Sequence, residues 1–362
     1  MSHQTRIKWA RRFEHNALTQ DLGLDPREDS SPAAAKRRAG AQGQRLQHKA
    51  AIAFAAMLIG AGSVQAHTIV GNRVFPATLT IDDPGVNDEL ALPTFAYMTA
   101  ANPDGTTGPI SYTLGWEYAK TITADLGVSI GSAGFSWQRN PKAEGWANIE
   151  TQLKYVFYQN PEHEFIFAGA INFDWANTGS PQSASLPSAP FTTFTTKLYV
   201  GKGFGDAAAD WLRPIAITGE ADYNIPTTSI NGDGSLNANR LTYGATLQYS
   251  LLYMNSFVHE VPDLFKRLIP AFEVQVATPV SNIGPSVAGS FSPSDTTGIF
   301  GPSLYYIGQY FEIGVMAQFP INEASGKHVG ARAVVDFFLD DIFPDTIGRP
   351  LFGPPQPRTA RY

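Results

Sequence analysis

Through residues 109–130 hydrophobic and polar positions alternate with a period of two. Ile110, Tyr112, Leu114, Trp116 and Tyr118 stand against Ser111, Thr113, Gly115 and Glu117, and the pattern resumes with Ile122, Ala124, Leu126, Val128 and Ile130. A period of two predicts strands, with a turn near Lys120, and not a helix. The polar parity holds Gly, Ser, Thr and carboxylates while the apolar parity carries aromatics, as expected when one face meets lipid and the other water.

The design recurs along the chain. Its apolar parity runs through Ile149 to Phe157, Phe165 to Trp175, Phe194 to Val200, Ile215 to Tyr223, Leu241 to Tyr253, Phe272 to Val276, Phe311 to Phe319 and Val329 to Phe337. Residues 92–99 form a first strand and residues 299–307 a weaker one. A barrel strand needs about 9 to 11 residues, and about 12 such segments fit between Leu92 and Phe338. The fold class expected is therefore all-β, a closed antiparallel transmembrane β-barrel of about 12 strands; one hairpin more or less would also fit.

Connection length tests this independently of polarity, because bacterial barrels pair short periplasmic turns with longer outer loops. Residues 100–108, 132–145, 176–190, 226–239, 279–297 and 320–327 are mostly long and rich in Gly, Pro, Ser and Asn. The connections between them, near 120, 159–163, 205–212 and 308, are mostly short; 255–267 is the exception. Aromatics cluster at supposed strand ends, with Trp116, Tyr118, Tyr155, Phe157, Tyr249 and Tyr253 at inner ends and Phe173 and Trp175 at an outer end, where membrane interfaces place them. A soluble two-sheet sandwich also alternates, but twelve long strands would then have to bury all these aromatics in one very large core.

Four regions flank or interrupt the strands. Residues 1–66 carry ten Lys or Arg against five acids and end in the apolar run 50–59 followed by Val64-Gln65-Ala66. This reads as an N-terminal leader with a signal peptide cleaved after Ala66, the run being short of the roughly 20 apolar residues a membrane anchor needs. Residues 67–91, with an Asp82-Asp83-Pro84-Gly85 turn, form either a periplasmic tail or a plug in the lumen. In 255–267, Val258, Val261, Leu264, Phe265 and Leu268 have helical spacing, so a short amphipathic helix or an irregular turn broken by Pro262 is expected. The barrel proper covers 92–339, and the Pro-rich tail 340–362 should be extended or disordered in the periplasm.

The whole chain carries a formal charge of −6, and from residue 67 onward 16 bases face 27 acids. Nucleic acid is thereby disfavoured as a partner. There is no cysteine, which suits passage through an oxidising compartment and rules out thiol chemistry. Strand parity assigns Glu117, Asp125, Glu150, Lys154, Asp174, Lys197, Glu220, Asp222, Glu273, Glu312, Arg332 and Asp336 to the lumen. Their acidic excess would favour cations in an open pore; in a filled barrel the charges would pair.

Catalytic signals are weak. His67, His163, His259 and His328 lie at expected strand ends or turns, no G-x-S-x-G, H-E-x-x-H or Gly-rich phosphate loop is present, and neither a cofactor nor a metal is implied. The one enzymatic alternative, an outer-membrane lipid hydrolase, would need a Ser-His pair on the lipid-facing side.

Several stretches resemble Gram-negative outer-membrane β-barrel transporter-like proteins related to the phenol-degradation meta-pathway barrel family. They are Val74-Phe75-Pro76-Ala77-Thr78-Leu79, Asp82-Asp83-Pro84-Gly85-Val86-Asn87-Asp88-Glu89, Phe319-Pro320-Ile321-Asn322 with Ser325-Gly326, and Phe337-Phe338-Leu339-Asp340-Asp341-Ile342-Phe343-Pro344. The likeness spans roughly residues 67–345 and carries no site residue across. It implies an outer-membrane channel taking up small molecules passively, with apolar or aromatic compounds as the cargo it suggests. Residues 330–337 also resemble a barrel assembly signal, which implies outer-membrane lipid and the barrel-assembly machinery as partners. The alternative is a barrel whose lumen is closed by its own side chains.

Overall fold

A computed structural model describes residues 68–140, 142–180, 188–231 and 234–352. The expected leader with its cleavage site, His67 and residues 353–362 of the tail lie outside the described residues. A short hairpin, β1 (Thr68–Val70) and β2 (Arg73–Phe75), comes first. Its turn residue Gly71 has φ +64°, and a Cβ there would lie 2.1 Å from the carbonyl oxygen of Pro161, so the close approach of two backbones requires glycine.

Twelve strands then form a closed antiparallel ring: β3 (Glu89–Ala101), β4 (Thr107–Thr123), β5 (Leu126–Arg139), β7 (Glu150–Asn160), β8 (Phe165–Asp174), β9 (Thr193–Gly203), β10 (Ile215–Pro226), β11 (Asn239–Tyr249), β12 (Leu268–Ser281), β13 (Thr297–Ile307), β14 (Phe311–Pro320) and β15 (Gly330–Phe338). Each pairs with its sequence neighbour, and β15 returns to β3 with Ala333 opposite Phe95, which leaves the ring without a free edge. A short extra strand, β6 (Ala143–Trp146), hairpins back on the far end of β5. Among the described residues no helix is long and apolar enough to cross a membrane. The protein is thus a closed twelve-stranded transmembrane β-barrel, and the strands do the crossing.

The outward parity holds the apolar set. Leu153, Leu198, Leu247, Phe272 and Val315, one from each of five strands, are exposed on the outer wall. Aromatic rings meet at the distal strand ends: Tyr97 with Tyr112, Tyr112 stacked on Trp137, and Phe173 with both Trp175 and Phe194. Such girdles suit the interface, where an amphipathic ring meets both lipid and water.

The structure corrects several local expectations. The β4–β5 turn is Ala124-Asp125, not Lys120; Lys120 stays in β4 and is buried. Residues 132–145 are not one loop. Opposite Leu114 and Trp116 stand Phe135 and Ser132, so β5 carries one extra residue, a β-bulge that moves its outward side chains from Leu126, Val128 and Ile130 to Phe135 and Trp137. Gly134, at φ +82°, sits in this bulge, where a Cβ would lie 1.8 Å from the Leu114 carbonyl oxygen.

Near 255–267 the helix is α1 (Leu251–Phe257), starting earlier than helical spacing suggested, because Ser250 caps it through a 3.1 Å bond from the Tyr253 amide. Leu251 and Tyr253 therefore leave the outward strand parity, and Tyr253 is buried. In β13 the buried apolar side chains are Ile299, Tyr305 and Ile307, so this strand turns apolar residues inward and its pattern reads as weak. After β15 the chain does not run free. The helix α2 (Leu339–Ile342) buries Leu339, and the Leu351 and Phe352 amides bond the carbonyls of Thr121 and Ile122 at the proximal rim.

Candidate functional site

Residues 68–88 hydrogen-bond and pack against inward-facing side chains from strands all around the ring, so they run across the lumen. Val74 and Leu79 join Leu252, Ile269, Tyr305, Ile307 and Met316 in one apolar cluster. Val70 and Phe75 join Val156, Ile166, Ala168, Tyr199 and Ala216 on the other side. A segment of about 20 residues thus touches both walls, which explains why inward positions near the proximal end are apolar in a barrel whose lumen should be wet.

Polar anchors supplement this packing. Arg73 is fully buried. It donates to Glu164 at 3.0 Å and to the Pro214 carbonyl at 3.0 Å, donates also to the Arg213 carbonyl, and lies 3.9 Å from the centre of the Tyr253 ring. Lys154 Nζ meets Asp82 at 2.6 Å and Asp83 at 3.4 Å. Glu273, fully buried, accepts from the Thr80 amide at 2.9 Å, from the Thr80 hydroxyl at 2.7 Å and from the Tyr305 hydroxyl. Asp88 pairs with Lys120, which also donates to the Arg349 carbonyl. Each buried charge here has an opposite charge or a set of donors, the condition under which burial is tolerated.

The charged residues assigned to the lumen by parity fall as follows. Glu117 lines a cavity on β4, and Glu150 lines it at the start of β7, accepting from Asn172 at 3.3 Å. Asp174 stands opposite Glu150 at the distal end of β8. Lys154 is committed to the crossing segment. Lys197 on β9 lies 3.0 Å from Glu220 and 3.4 Å from Asp222, and Glu220 also accepts from the Asp82 amide. Glu312 and Asp336 are cross-strand neighbours on β14 and β15. Arg332 donates to Gln318 at 3.0 Å and to the Leu79 carbonyl at 2.6 Å.

Asp125 is the correction. It sits exposed in the two-residue turn, because the strand ends two residues before it, and it is not a lumenal side chain. Parity did not reveal Arg73, Asp82, Asp83, Asp88 and Lys120, since their partners are far apart in sequence. The Asp82-Asp83 run, standing ahead of strands that supply unmatched lysines, was the one available signal.

Above the crossing segment two neighbouring cavities remain, of about 260 and 390 Å³. Both reach Asp82, Glu117 and Lys197; the larger adds Gln152, Ser129, Glu150 and Arg332. A third cavity, of about 490 Å³, opens at the distal end beside Asn224, Arg240 and Thr242. The described histidines lie apart from all three: His163 is 2.9 Å from Asp206 in an exposed proximal turn, where that hydrogen bond, against slight burial and helped by Lys202, holds the Asp206 carboxyl below its ordinary range. His259 contacts the Glu260 carbonyl. Among the described residues no group of three His, Cys, Asp or Glu could hold a metal ion.

No family model and no curated protein matches the chain. Among solved structures, the KdgM porin in complex with disordered oligogalacturonate is 10% identical, covering 68% of this chain and 98% of its own with a TM-score of 0.39. The NanC porin is 6% identical, covering 68% and 99% with a TM-score of 0.42. The outer membrane protein OprD from Pseudomonas aeruginosa is 12% identical, covering 74% and 70% with a TM-score of 0.32. Likenesses this distant decide nothing about function, and the fold stands on the strand register itself.

Proposed function

We propose that this barrel sits in a bacterial outer membrane, exported there through its signal peptide, and acts as a passive channel for small molecules, narrowed at its proximal end by residues 68–88. The observation that carries the reading is a ring with a lipid-compatible outer wall around cavities lined by carboxylates, amides and hydroxyls. Aligned on the long distal and shorter proximal connections, the crossing segment lies on the periplasmic side. The outward row Ala331, Ala333, Val335 and Phe337 beside the closing seam supports engagement by the barrel-assembly machinery.

The family resemblance suggests apolar or aromatic cargo, but the polar lining favours polar solutes, and its acidic excess favours cations. The closest rival is a closed barrel without transport, favoured by the density of hydrogen bonds that hold residues 68–88. The test is single-channel recording of the refolded chain in a planar bilayer under a salt gradient. Conductance with a reversal potential of cation-selective sign is expected; anion selectivity would overturn the reading.

A further inference from the structure

The 260 Å³ cavity has a charge layout that the channel reading does not use. Its floor is the crossing segment, residues 77–82, and its walls place carboxylates at two separated poles. One pole is Asp222 on β10. The other is Glu89, Glu117 and Asp336 on β3, β4 and β15. In the order of strands around the ring β10 lies half-way round from β3, so the poles face each other across the lumen.

At neither pole does the protein supply a cation for each carboxyl. Lys197 serves both Glu220 and Asp222, which also hydrogen-bond each other, so one cation meets two carboxyl groups there. Glu89, Glu117 and Asp336 take part in none of the ion pairs among the described residues. Asp336 hydrogen-bonds Glu89, so these two carboxyls hold one proton between them, and no lysine or arginine pairs with either. Two carboxylate oxygens at these poles, Asp222 Oδ1 and Asp336 Oδ1, are buried without a hydrogen-bond partner, and their residues are only 7% and 4% exposed. A buried acceptor without a donor is costly, which marks both atoms as places where a ligand would donate.

A compact metal ion does not suit this layout, because Ca²⁺ or Mg²⁺ needs oxygens converging within about 2.6 Å of one point. An elongated cation with an N–H donor group at each end does. We infer that this cavity binds an aliphatic diamine, one ammonium hydrogen-bonded at Asp222 and the other at Asp336 and Glu89, with the methylene chain crossing above residues 77–82. The inference rests on the channel reading, in that it names a cargo class for the same lumen.

The test is calorimetric titration of the full chain, folded in detergent micelles at neutral pH, with 1,4-diaminobutane, and with 1-aminobutane, succinate and Mg²⁺ as comparison probes. Diamine binding at least ten-fold tighter than monoamine binding is expected, with succinate inert. Asp336→Asn, and separately Asp222→Asn, should each weaken the diamine at least ten-fold while heat-modifiable gel mobility stays that of the folded barrel. Equal affinity for mono- and diamine, an unchanged affinity in both variants, tighter binding of Mg²⁺, or no heat at all in the folded protein would overturn the inference, the last meaning that protons alone satisfy these carboxylates. Cation-selective conductance without diamine binding would sink this inference and spare the channel. Diamine binding in a barrel that is silent even after removal of residues 68–88 would do the reverse.

Discussion

Leu247 and Gln248 are consecutive on β11 and show what parity does to a single position. Leu247 is 52% exposed on the outer wall, while Gln248 is 1% exposed and lies 3.4 Å from the Thr218 hydroxyl. Leu247→Arg should cost roughly 2 to 4 kcal/mol if the site lies at the bilayer midplane, because the guanidinium enters hydrocarbon. Parity alone would let Gln248→Arg pass as a harmless lumenal change. The packed lumen argues otherwise, and overfilling there should cost roughly 1 to 3 kcal/mol. A lumenal arginine is tolerated where space exists, so Ser129→Arg, beside the 390 Å³ cavity, should change stability by about 0.5 kcal/mol or less. Reversible unfolding of the three variants in lipid vesicles checks the ordering; equal losses at Leu247 and Ser129 would refute the assignment of faces.

Among the elements, the β1–β2 hairpin is held differently from the strands. A ring strand has a hydrogen-bonded neighbour on each side, but this hairpin depends on apolar contact and on Arg73, whose guanidinium reaches Glu164, two carbonyls of the 213–214 turn and the Tyr253 ring. Breaking a buried pair from one side strands the other charge, at a cost of roughly 3 to 5 kcal/mol. Arg73→Ala should therefore loosen residues 68–75 locally and leave the ring intact, because the ring's register does not pass through Arg73. Hydrogen exchange read segment by segment is the check, with faster exchange expected at Val70 and Val74 and unchanged exchange in β9 and β10. Uniform acceleration would instead make the hairpin part of the barrel's cooperative core. The helix α1 belongs to the same proximal assembly, since Leu252 packs with Val74 and Leu79.

At the scale of the whole molecule, the question is whether the crossing segment closes the lumen. Deleting residues 68–88 should raise single-channel conductance severalfold, because both apolar clusters and the floor of the smaller cavity go with it. Unchanged conductance in a barrel of normal gel mobility would mean that ions pass elsewhere. The alternation along the chain was enough for an antiparallel ring of about twelve strands, its outer face and most of the long-short order of connections, because lipid on one side and water on the other impose a period of two that each strand carries locally. Asp125 and Lys120 were misread where that period ran on through a turn, and β5 where a bulge shifted it. Tertiary structure alone decided that residues 68–88 cross the lumen, and that Lys154, Glu273 and Lys120 serve Asp82, Thr80 and Asp88. Those pairings join residues from about 30 to nearly 200 positions apart, and only closure of the ring brings their charges and hydrogen-bonding groups within reach of one another.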